Sequence, residues 1–182
     1  MEITERHNFT RFPYSYEVRE NGDINNGGFD LIQSPEKIND IHEIAEFPWF
    51  KDFISAVNGK NGVFMTLGCT IGLDNESLFG YVDFSARPGT SGEIKEYLVN
   101  LDVHFYEYLS QAIPEEEIQQ QAIQYAQQTL LWLASPFEIY GESYSKVNLT
   151  FGARQQDGLK WAFEHLSYFL TEYFPSKLIP KK

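Results

Sequence analysis

The sequence predicts an α+β fold: a mainly antiparallel sheet with packed helices, in a single domain spanning residues 1–182. Three observations predict it. Residues 63–86 read as a β-hairpin, residues 114–134 and 158–173 read as amphipathic helices, and the strands cluster as hairpins instead of alternating with helices. The 182 residues, 42% of them hydrophobic, supply enough apolar material for one full core at ordinary domain size.

Taken in order, Tyr14-Ser15-Tyr16-Glu17-Val18 alternates like a strand, and the Gly- and Asn-rich stretch 20–28 is a loop. Residues 1–12 and 176–182 are expected to fray. Ser34-Pro35 opens a helix, with Ile38, Ile41, Ile44 and Ala45 on one face, until Pro48 interrupts it. A second helix runs from Trp49 to Val57 and stops at Asn58-Gly59.

In the hairpin, Val63, Met65, Leu67, Cys69 and Ile71 point one way as an apolar face. Asp74-Asn75-Glu76-Ser77 supplies the turn, and Leu78–Ala86 returns. Residues 94–109 fit two patterns. Tyr97, Val99, Leu101, Val103 and Phe105 alternate as a strand would, whereas Ile94, Leu98, Leu101, Phe105 and Leu109 form a helical stripe; β-branched and aromatic content favours the strand. Pro114 followed by Glu115-Glu116-Glu117 opens a helix to about Ala134, with carboxylates in the positive first turn. Phe137–Tyr140 and Lys146–Phe151 are two more strands, and a final helix from Gly158 to Tyr173 is ended by Pro175.

Charge narrows the function classes. A net charge of −12 is the wrong sign for a protein that neutralises nucleic-acid phosphates or an anionic membrane surface; it suits a basic partner. One cysteine, no apolar leader and no run long enough to cross a bilayer together predict a cytoplasmic protein.

No motif for catalysis, metal or cofactor is complete, so no cofactor, metal site or catalytic residue is expected. His42-Glu43 starts like a zinc-protease helix, but Glu46 stands where the second imidazole belongs. Asp23-Ile24-Asn25-Asn26-Gly27-Gly28 resembles half a calcium loop, with Ser34 where a bidentate Glu is required. Cys69 reads as a buried structural thiol. Asp102 and His104 would share a face of a strand as carboxylate and imidazole, with no recognisable nucleophile nearby.

The feature that stands out is acidic. Residues 93–128 hold seven carboxylates and a single lysine, half the net charge of the chain, interleaved with Tyr97, Tyr106, Tyr108 and Tyr125. Carboxylates steer a basic partner and tyrosines anchor it, so Glu93, Glu96, Tyr97, Glu107, Glu115, Glu116 and Glu117 are the expected partner-binding residues. Being small, acidic, rich in Tyr and Phe and without catalytic motifs, the chain resembles bacterial toxin-immunity proteins of the contact-dependent inhibition type. That resemblance implies stoichiometric binding to a basic, nuclease-like toxin domain, with segment 93–117 standing in for nucleic-acid phosphates. Two alternatives belong to other classes: an enzyme with a site around Asp102, His104 and Glu142, and a self-associating structural or phage accessory protein.

Overall fold

Two long hairpins, joined edge to edge, form the frame of the molecule. The computed structural model describes residues 2–3, 10–18, 20, 24–25, 27–90 and 92–178. In chain order these form short strands β1 (Glu2–Ile3), β2 (Arg11–Phe12), β3 (Glu17–Val18) and β4 (Ile24–Asn25), two 3-10 turns (Pro35–Asp40 and His42–Ile44), and helix α1 (Pro48–Val57). Strands β5 (Phe64–Asp74) and β6 (Ser77–Ala86) follow, then α2 (Gly92–Tyr97), α3 (Leu101–Ala112) and α4 (Glu116–Thr129). Strands β7 (Leu130–Ile139) and β8 (Glu142–Ala153) precede α5 (Gln156–Tyr168), a π-turn (Phe169–Tyr173) and α6 (Phe174–Leu178).

The strand order is β7-β8-β6-β5, antiparallel throughout, and β1 and β2 add in parallel along the outer edge of β7. The fold is therefore α+β with a mostly antiparallel sheet. Both hairpins close through two residues of positive φ, Asn75 and Glu76 (46° and 66°) and Tyr140 and Gly141 (50° and 85°). That backbone matches the twist of the flanking strands.

Helices cover one face of the sheet. There Phe50, Phe53, Phe151 and Phe163 interlock with ring centroids 4.9–6.1 Å apart. The outer face carries a smaller cluster, in which Phe12, with Tyr14 and Ile32, packs on Met65, Leu67, Phe137, Ile139 and Tyr144. Arg87 joins strand to helix: its guanidinium donates to the carbonyls of Val57, Gly59, Lys60 and Phe64, satisfying groups that the end of α1 leaves open.

The structure differs from the sequence reading in five places. Residues 94–109 are not a strand but α2, a 3-10 turn and α3. The residues of the helical stripe are at most 6% exposed, and their burial against the sheet outweighs β propensity. The helix opened at 114 stops at Thr129, because Leu130, Trp132 and Ala134 alternate into the core as a strand. A β-bulge between Thr66 and Gly68 turns Met65 and Leu67 to the outer face, whereas Cys69 and Ile71 stay on the helical side. Pro175 does not end the last helix: a π-turn, with the Phe174 N–H donating to the Phe169 carbonyl, places it in the first turn of α6, where its missing N–H is not needed. Lastly, Glu2–Ile3 and Arg11–Phe12 pair with β7, and Ser176–Leu178 is helical, where fraying was expected.

Candidate functional site

The acidic segment folds into consecutive helices, and its residues meet different fates. Asp102 is buried in the first turn of α3, only 8% exposed, so it adds no surface charge. Glu107 is exposed, with its Oε2 3.3 Å from His104 Nδ1. Glu96 is exposed beside a groove of about 490 Å³ that Lys95, Val99, Ser143, Tyr144 and Ser145 also line. Within it the Lys95 ammonium sits 3.8 Å from the centre of the Tyr144 ring. Tyr97 is 41% exposed, with its ring edge-on to His104 and Phe174. Glu93 lies in α2.

Glu115, Glu116 and Glu117 remain, all exposed at the start of α4. Among the described residues, no Lys or Arg lies within ion-pair distance of any of the three. Between Glu96 and Glu115 runs α3, whose twelve residues rise about 18 Å. That exceeds the screening length of about 8 Å at physiological salt. The carboxylates therefore do not act as one patch. The concentrated part is Glu115–Glu117.

The strand geometry invoked for Asp102 and His104 is absent. Two residues apart on α3, they project about 200° apart around the helix. Glu142, at the start of β8, accepts a hydrogen bond from the Tyr144 hydroxyl at 3.1 Å.

The sequence reading missed a polar network on the outer face. Lys146 Nζ lies 3.0 Å from Asp83 Oδ2, their side chains 1% and 7% exposed. The Tyr14 hydroxyl donates to the same oxygen at 3.3 Å, and Asn148 Nδ2 donates to Asp83 Oδ1 at 2.6 Å. The Lys146 ammonium also faces the Phe137 ring at 5.2 Å. Burial, then the Asp83 charge, pushes the Tyr14 phenol well above its usual range, so it remains a donor. The signal for this network was a charged residue in each of two strands at a position flanked by core residues: Asp83 between Val82 and Phe84, and Lys146 before Val147. The Cys69 thiol is pushed up to about 12, chiefly by burial and next by Glu43, far from the thiolate a nucleophile needs.

Among the described residues, no group of three or more His, Cys, Asp or Glu is placed to hold a metal ion. Asp23 and Asn26 of the half calcium loop lie outside those residues. No helix among the described residues is long and apolar enough to cross a membrane. No family model, curated protein or solved structure matches the chain.

Proposed function

We propose that the protein is an acidic binding protein that inhibits a basic partner, acting as a cytoplasmic immunity protein against a cognate, nuclease-like toxin domain. The observation that carries this reading is the exposed run Glu115-Glu116-Glu117, which no Lys or Arg among the described residues neutralises, on a chain of net charge −12. A partner whose own surface is positive, as a phosphate-binding nuclease surface is, would be drawn to that end of α4 and oriented there.

The test is an association rate. The chain is mixed with the C-terminal domain of a toxin encoded immediately upstream of its gene, in stopped flow at a series of salt concentrations. Replacing Glu115, Glu116 and Glu117 by Lys halves the net charge of −12 and should slow association on the order of tenfold at low salt, with little effect at high salt. Identical association rates for the two proteins at every salt concentration remove the steering argument.

A further inference from the structure

The segment Phe12–Ile32 covers only half of the sheet's outer face. The other half, toward the β5–β6 turn, is bare. Register sets Leu131, Thr150, Tyr81 and Thr70 side by side across four strands, and places Phe79 one step further along between Gly72 and Gly152. Leu131 is 53%, Phe79 49% and Tyr81 36% exposed. With adjacent strands about 4.8 Å apart, the row is about 14 Å wide. The two glycines leave room beside the Phe79 ring: a Cβ at Gly152 would meet only the Leu78 carbonyl, 3.7 Å away.

This surface has the layout of a contact centre, with apolar and aromatic groups in the middle and charge at the margin. At its turn end stand the exposed carboxylates Asp74 and Glu76, with exposed Arg154 just beyond the end of β8. At the other end the Asp83 charge is balanced by Lys146.

We propose that this bare half-face, centred on Phe79, Tyr81 and Leu131 and rimmed by Asp74 and Glu76, is where a basic protein partner docks. The assignment rests on the reading of the chain as a binder of basic proteins and gives that reading its contact surface, with Glu115–Glu117 as the steering element. Charge selects the occupant. A second copy would bring −12 against −12, whereas a basic surface meets the field of the whole chain and the two rim carboxylates with opposite sign.

The probe is a seven-residue peptide alternating Lys and Leu, titrated into ¹⁵N-labelled protein, with a peptide alternating Glu and Leu as control. Saturable amide shifts at residues 70–82, 131 and 150 are expected with the Lys peptide and none with the Glu peptide. Replacing Phe79 and Leu131 by Ser, both exposed and outside the core, should weaken binding at least tenfold with the remaining spectrum unchanged. Equal shifts with both peptides would mean unselective apolar adhesion and overturn the assignment. So would concentration-dependent shifts of these residues without peptide, which would make the occupant a second copy, or no shifts at all. Shifts confined to 115–117 would overturn the docking surface and leave the steering element standing. Patch binding unaffected by the three Glu-to-Lys replacements would instead remove the steering element and leave the surface in place.

Discussion

Replacing Lys146 by Met isolates the energetics of the outer-face network. The Lys146 and Asp83 side chains are 1% and 7% exposed and 3.0 Å apart, so removing the ammonium strands a carboxylate away from water. Breaking a buried pair in this way costs about 3–5 kcal/mol. Asp83 keeps two donors, Tyr14 and Asn148, which places the expected loss near the lower end, about 3 kcal/mol. Urea unfolding measures it. With a slope of about 2 kcal/mol per molar, the midpoint should fall by roughly 1.5 M. Replacing Asp83 by Leu alone should cost as much, because the buried ammonium is then stranded instead. The double replacement should lie within about 1.5 kcal/mol of the parent, since a well-packed apolar pair needs no compensating charge. Single-variant losses below about 1 kcal/mol would show that water reaches the pair and would refute the argument.

Two further outcomes follow from local geometry. Burial holds the His165 imidazole below its usual value of 6.5, against a smaller opposing effect from Glu164. The unfolded chain therefore takes up this proton first, and the stability it contributes is full above pH 6.5 and declines as pH falls through that value toward the folded one. Urea titrations of the parent and His165→Gln between pH 8 and 5.5 should show a shallower decline in the variant; parallel curves would exclude the effect. Gly80→Ala should destabilise by about 1–3 kcal/mol or more, because a Cβ there would fall on the Thr70 carbonyl oxygen and within 2.7 Å of the Phe151 ring. Backbone cannot step aside as a side chain can, so an unchanged melting temperature would contradict the close approach of β5 and β6.

The β5–β6 hairpin was legible because its turn residues and alternation agreed locally. The bulge inside it was not, because Met65, Leu67 and Cys69 are apolar on either face and only register with Asp83 tells them apart. Residues 94–109 carry two apolar periods at once, and the choice was made by a sheet that the local sequence does not mention. At Thr129–Leu130 the helical pattern runs into a strand without Gly or Pro to mark the change. Asp83 and Lys146 are 63 residues apart, and nothing near either names the other. The acidity of 93–117 was legible as composition but not as surface: Asp102 turned inward, and α3 separates the ends of the segment.

The two short strands along β7 have a consequence for assembly. They occupy its outer edge at Leu133–Ala134 and Glu138–Ile139, while β5, at the opposite margin, has no strand beyond it. A ribbon that can lengthen from one margin cannot polymerise. Two such molecules joined β5 to β5 would use up the open margin of both, so growth by strand addition ends at a closed twofold pair and never reaches a fibre.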